Sequence, residues 1–339
     1  MIEGHGNNIH QAGIRIVADF SSNVAGKPHQ KLLEYLSGKI NTVGNYPEPF
    51  ARSLREKMAR KHDVKPSQIL ITNGSTEAFY LVASAFREKH SLVFTPSFAE
   101  YEDACRMHRH HLKFASTQQF TQALQSVPDL VWLGNPGNPD GSFIPIETIK
   151  KKLADYSKTL FVIDEAYSGL CSNFESLAGN IDNFSNLIVV QSMTKLFAIP
   201  GLRLGYLLAS QPVMDYLQHF LMPWSVNALA IEAGKFIVDH EQKLMPDISE
   251  ILFQSGLMQT KFSQCNKLEV IHSPCNYFLV KLKKGNAPAL KKYLLEEHGF
   301  LIRDASNFRG LDERFFRIAV QDETSNQKLH EAIIHWLEI

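Results

Sequence analysis

The sequence predicts an α/β fold, with a large domain built on a mostly parallel sheet flanked by helices and a smaller α+β domain beside it. Short apolar runs rich in β-branched residues recur through the middle of the chain, as strands buried on both faces do. Helical patterns stand between several of these runs, giving a βαβ alternation. Past about residue 241 the order changes, and helices and strands follow one another without that alternation.

In chain order, the strand candidates are Q-I-L-I-T near Leu70, S-L-V-F-T near Val93, L-V-W-L near Trp132, L-F-V-I-D near Val162, L-I-V-V-Q near Val189 and L-G-Y-L-L near Tyr206. Glu77 to Arg87 and Ile146 to Tyr156 carry helical patterns between them. From 241 the sequence predicts a long helix, a strand at N-Y-F-L-V-K-L and a helix at A-P-A-L-K-K-Y-L-L-E-E-H. Strands at F-L-I-R-D and F-F-R-I-A-V and a last helix complete it. The large domain is expected over residues 46–240, and the small one over 1–45 with 241–339.

A chain of 339 residues, 44% hydrophobic, can bury a large core. Thirty-five basic residues balance thirty-five acidic ones, so no overall field recruits nucleic acid or an anionic membrane. The first ten residues lack a basic stretch followed by an apolar run, and no segment reaches the roughly 18 apolar residues of a membrane span. A cytoplasmic protein that acts on small molecules is expected. Cys105, Cys171, Cys265 and Cys275 show no C-x-x-C spacing, which predicts buried free thiols and no metal site. The basic cluster Arg106 to Lys113 reads as a helix end and a solvated face, because no second ligand cluster accompanies it. No G-x-G-x-x-G follows an early strand, which disfavours a nicotinamide fold.

In such sheets ligands gather at the carboxyl ends of the strands, and the polar residues of this chain collect there. After Q-I-L-I-T, Gly74, Ser75 and Thr76 open a helix, whose free N–H groups and dipole suit an anion. An ordinary helix cap has the same letters. After L-V-W-L comes the turn G-N-P-G-N-P-D-G, whose two Asn-Pro pairs behind a buried strand suggest an amide fixed to touch a ligand. Asp164 ends an apolar run, where a carboxylate is costly unless a cation meets it. Ser192, Thr194 and Lys195 end another, with Arg203 eight positions beyond the lysine. A lysine, a buried acid, an asparagine, a tyrosine and a phosphate cradle are together what pyridoxal phosphate needs. Its aldehyde takes a lysine Schiff base, its ring nitrogen a carboxylate, its phenolic oxygen a donor and its phosphate an anion pocket.

The ordered set N-P-x-N-P-x-G, D-E-A-Y, S-x-T-K and G-L-R-L-G resembles the fold type I pyridoxal-phosphate enzymes over nearly the whole chain. The similarity lies in the branch that holds histidinol-phosphate aminotransferases and threonine-phosphate decarboxylases of cobalamin synthesis. It implies that Lys195 carries the cofactor and moves protons, and that Asp164 pairs with the pyridine nitrogen. Asn138 and Tyr167 would bind the phenolic oxygen, and Ser75, Thr76, Ser192, Thr194 and Arg203 the phosphate, with Gly74 allowing close backbone approach. Phe98, in T-P-S-F-A-E-Y, would stack on the ring. Tyr46 resembles the tyrosine that reaches the phosphate of a neighbouring subunit, implying a homodimer with shared sites. Arg303 and Arg317 would bind an acid group of a phosphorylated amino-acid substrate, with His5 and Asn23 as further candidates.

H-G-N-N-I and S-N-F-R-G-L-D-E-R-F-F-R-I-A-V resemble segments of the decarboxylases, although Asn7 stands where that pattern has glycine, and M-P-W-S-V-N-A-L-A fits the same group. The resemblance therefore favours decarboxylation of threonine phosphate, with an aminotransferase as the alternative. A catalytically silent cofactor-binding protein would lack the substrate arginines, and both are present.

Overall fold

The computed structural model describes residues 15–125 and 127–339. After β1 (Ala18–Asp19) come the seven strands of the central sheet. They are β2 (Ile69–Asn73), β3 (His90–Thr95), β4 (His111–Ser116), β5 (Leu130–Gly134), β6 (Leu160–Asp164), β7 (Leu187–Ser192) and β8 (Leu204–Ala209). The rest are β9 (Leu268–Ile271), β10 (Tyr277–Leu282), β11 (Phe300–Leu301), β12 (Arg303–Asp304) and β13 (Phe315–Ala319). The central sheet runs β2-β8-β7-β6-β5-β3-β4, and β8 alone runs against the direction of the other six.

The apolar runs are continuous because both faces of this sheet are covered. Val131, Leu133, Phe161, Ile163 and Val189 pack into one core, while Leu130, Trp132, Val162, Ile188 and Val190 pack into the other. Successive side chains on a strand point to opposite faces, so one run feeds both cores. The second unit is an antiparallel sheet, β12-β13-β10-β9, in which Arg303 stands opposite Arg317. A third core of Phe262, Phe278, Leu294, Phe316 and Ile333 backs it. β1 pairs with β11, whereas Leu32 of the helix Gln30–Gly38 belongs to a core of the central sheet.

Several elements differ from the sequence reading. The helix read as Glu77 to Arg87 spans Gly74–Ala85, because Gly74, at φ 73°, turns the chain straight from β2 into the helix. The cluster Arg106 to Lys113 holds a helix end at Met107 but continues into β4, an edge strand whose half-exposed H-L-K-F-A-S is too polar to read as a buried run. His110 is not solvated there: it is buried, with its ring nitrogens 2.8 Å from Ser91 Oγ and 2.9 Å from the Ala83 carbonyl oxygen. The long helix expected past 241 is Ile248–Ser263, and Pro246 separates it from Ala228–Leu244, a helix the sequence reading did not name. F-L-I-R-D splits at Ile302, its first half pairing with β1 and its second with β13. Among the described residues no helix is long and apolar enough to cross a membrane.

Candidate active site

The parallel strands end on one edge of the sheet, and their last residues meet there in register. Gly134 lies beside Asp164, and Ser192 beside Gly205. A cavity of about 330 Å³ opens over this edge. Its wall carries Asn23, Ser75, Thr76, Phe98, Asn138, Asp164, Tyr167, Thr194, Lys195, Arg203, Arg303 and Arg317. Residues from both sheets therefore close one space.

The anion end is built by glycines. A Cβ on Gly74 would fall 2.5 Å from the Arg203 guanidinium, and one on Gly205 would fall 2.5 Å from the Ser75 backbone nitrogen. Without them, the helix Gly74–Ala85 presses its first N–H groups against Arg203 and β8. Across from it, the short helix Met193–Leu196 is capped by Ser192, whose Oγ lies 2.7 Å from Thr194 Oγ1. Gly74 and Ser192 support this corner from behind the cavity wall. Helix N–H groups, two hydroxyls and a guanidinium make a phosphate cradle.

Lys195 and Asp164 occupy the middle. Burial, and then the positive fields of Arg317 and Arg203, lower the Lys195 pKa from 10.5 to about 8, against the pull of Asp164. An amine so shifted is partly neutral, hence nucleophilic, near neutral pH. Burial raises Asp164 from 3.8 to about 6, while the Tyr101 hydroxyl, the Ala166 N–H and Lys195 oppose it. Tyr101 donates to Asp164 Oδ2 at 2.5 Å and Ala166 N–H to Oδ1 at 2.9 Å. Among the described residues no cation pairs with this carboxylate, so it offers a charge to a cationic ring. Burial holds the Tyr167 hydroxyl up at about 12, a donor throughout the physiological range. The two Asn-Pro pairs divide their work. Asn135 ties its own turn to the Ile144 backbone at 2.7 and 3.1 Å, and Asn138 faces the cavity.

At the far end, Arg317 is buried and donates to Asn138 Oδ1 and, at 2.5 Å, to the Ser21 carbonyl oxygen, while its Nε has no partner. Arg303 donates to Asn307 Oδ1 at 2.7 Å and to the Asp304 carbonyl oxygen. Burial and Arg317 together hold the Arg303 pKa down at about 10. Among the described residues neither guanidinium has a carboxylate partner. Two adjacent buried cations without a protein anion form a site for an added one. The Asn23 amide is buried beside the Tyr167 hydroxyl, whose ionised form it favours by hydrogen bonding.

Tyr46 is fully exposed, its ring 5.8 Å from that of Trp224, and does not reach this chain's own cavity. His5 lies outside the described residues. Sequence reasoning missed Tyr101, Ser21 and the pair Glu102 and Arg309, all on the cavity wall or touching it. Arg309 grips both oxygens of the buried Glu102, at 2.8 and 3.0 Å, from 207 residues away. Tyr101 had a signal, standing one helical turn after Phe98, but the Glu102 pairing had none.

The cavity fits pyridoxal phosphate in the chemistry of its donors: a cradle for the phosphate, a depressed amine for the aldehyde and an unpaired buried carboxylate for the ring nitrogen. Residues 17–333 match the model of the family described as aminotransferase class I and II. The chain is 30% identical to the threonine-phosphate decarboxylase of Salmonella typhimurium, with 97% of this chain and 95% of that protein covered. It is 32% identical to a histidinol-phosphate aminotransferase of Caldanaerobacter subterraneus, covering 86% and 84%. Among solved structures it resembles the L-threonine-O-3-phosphate decarboxylase of Porphyromonas gingivalis, with a TM-score of 0.92 and 41% identity over 95% of this chain and 100% of that one.

Proposed function

We propose, from the premise that the chain belongs to the aminotransferase class I and II family of pyridoxal-phosphate enzymes, that it decarboxylates L-threonine O-3-phosphate to (R)-1-amino-2-propanol phosphate, a step of cobalamin synthesis. The observation that carries this reading is the buried pair Arg303 and Arg317, opposite one another on β12 and β13 with no carboxylate partner among the described residues. A phosphate dianion answers two cations better than a single carboxylate does.

When bound, pyridoxal phosphate supplies an aldehyde that captures the substrate amine and a ring that accepts the electrons of a bond broken at Cα. Which bond breaks depends on how this chain's residues orient the substrate. Arg303 and Arg317 would hold the substrate phosphate and leave its carboxylate without a guanidinium partner. Of the other two guanidiniums on the wall, Arg203 belongs to the phosphate cradle and Arg309 is already spanned by Glu102, so neither competes for that carboxylate. Asp164 would hold the ring nitrogen in its charged form, and Asn138 and Tyr167 would hold the phenolic oxygen. The Lys195 amine would hold and return the proton that replaces carbon dioxide at Cα.

The relatives named above include aminotransferases, and products separate the two activities. With O-phosphothreonine the protein should release carbon dioxide and aminopropanol phosphate. Glutamate made from histidinol phosphate and 2-oxoglutarate, with no carbon dioxide from O-phosphothreonine, would replace this reading with a transaminase. We also place the protein in the cytoplasm, to which its four free thiols are suited. A homodimer with shared sites is supported by Tyr46, which is exposed among Ile40, Val43, Phe50 and Trp224, an apolar stretch that a second copy would cover.

A further inference from the structure

We propose that Tyr101 is a positioning residue for Asp164, fixing its carboxylate by one short hydrogen bond and keeping it charged for the cationic ring nitrogen. The inference rests on the reading of Asp164 as that partner. Tyr101 lies in the helix Ala99–Met107 and is 2% exposed. Its ring packs edge-on against Phe79 at 4.8 Å and over Trp132 at 6.4 Å, so it cannot swing away from the strand ends. Its hydroxyl reaches Asp164 Oδ2 at 2.5 Å, where Gly134, beside Asp164 on the neighbouring strand, leaves room. A Cβ on Gly134 would stand 3.3 Å from that hydroxyl.

The carboxylate has about four lone-pair directions. Tyr101 takes one, the Ala166 N–H takes another at 2.9 Å on the other oxygen, and Asp164 itself lines the cavity. The groups facing Asp164 are Tyr101 from its helix, Lys195 from the short helix after β7, and Glu165 and Tyr167 from its own segment. Glu165 is turned away, held by Ser176, the Leu177 N–H and Gln191. Among the described residues Tyr101 is thus the one side-chain hydrogen-bond donor to Asp164, and burial keeps its own proton in place well above pH 10.

The test uses apoprotein and pyridoxal phosphate alone, reading the cofactor dissociation constant by fluorescence from pH 5 to pH 9 in wild type, Tyr101→Phe, Gly134→Ala and Asp164→Asn. In wild type, binding should weaken on the acid side as Asp164 takes a proton. Tyr101→Phe keeps the ring packing and should move that acid limb up by about one pH unit, leaving affinity near pH 9 within about threefold. Gly134→Ala, which crowds the hydroxyl, should move it the same way. Asp164→Asn should abolish it, leaving only the separate Lys195 step near pH 8. A limb unmoved in Tyr101→Phe, or affinity lost equally at every pH, would overturn the role of Tyr101. If the limb survived in Asp164→Asn, the reading of Asp164 would fail instead.

Discussion

Replacing Lys195 with methionine should make the apoprotein more stable at neutral pH. The Lys195 pKa falls from 10.5 in the open chain to about 8 in the fold. At about 1.4 kcal/mol per unit, that difference sets an upper bound of roughly 3 kcal/mol. The side chain is only partly covered and borders the cavity, so solvent there reduces the figure to about 1–2 kcal/mol. The sign follows from proton binding. Below pH 8 both folded and unfolded chains carry the charge, and the folded one bears the full cost of burying it. Between pH 8 and 10.5 the folded chain sheds the proton while the unfolded chain keeps it, so wild-type stability rises relative to the variant. Urea melts of both apoproteins at pH 7 and pH 10 read this directly. Lys195→Met should lead at pH 7 and lose most of that lead by pH 10. Equal stability at both values, or a lead independent of pH, would refute an amine held partly neutral by burial and its arginine neighbours.

Arg317→Met should raise the KM for O-phosphothreonine about ten- to hundredfold, the worth of a hydrogen bond to a charged group, while relieving repulsion on Arg303. Steady-state kinetics with an unchanged KM would count against the arginine pair as the phosphate site. Gly205→Ala places a Cβ 2.5 Å from Ser75 N and 2.7 Å from Gly74 C, both backbone, so the cradle must open. A loss of about 1–3 kcal/mol in urea melts, with weaker cofactor binding by dialysis, is expected; no change in either would contradict a cradle built on close approach. Tyr46→Ala should lose activity although Tyr46 does not line its own chain's cavity, and mixing it with Lys195→Ala protein should restore part of it. A mixture as inactive as its components would argue against shared sites.

The strand ends were legible because a polar residue after an apolar run is costly, and chains place one there only where something compensates it. Asp164, Asn138, Lys195 and Arg203 stood out on that ground, and the structure brings them to one cavity. The helix at A-P-A-L-K-K-Y-L-L-E-E-H was legible, and the structure bounds it at Ala287–His298 with the Asn286 cap and Gly299 stop. β4 and β9 were not, since an edge strand buries only part of its side chains and its pattern fades into that of a loop. F-L-I-R-D looked like one strand because pairing partners are invisible to local pattern, yet its halves join different sheets. Arg309 and Glu102 were out of reach for the same reason: each is an ordinary surface letter until the fold closes the distance. Tyr101 was hidden differently, as an aromatic at helical spacing that reads as core and carries its chemistry only at the hydroxyl.

The most direct measurement is reductive trapping. The pyridoxal-phosphate-loaded protein is treated with borohydride, digested, and the peptide carrying the cofactor mass is sequenced. The added mass should sit on Lys195 and be missing from Lys195→Met, whereas a label on any other lysine, or none, would contradict the chemistry assigned to this cavity.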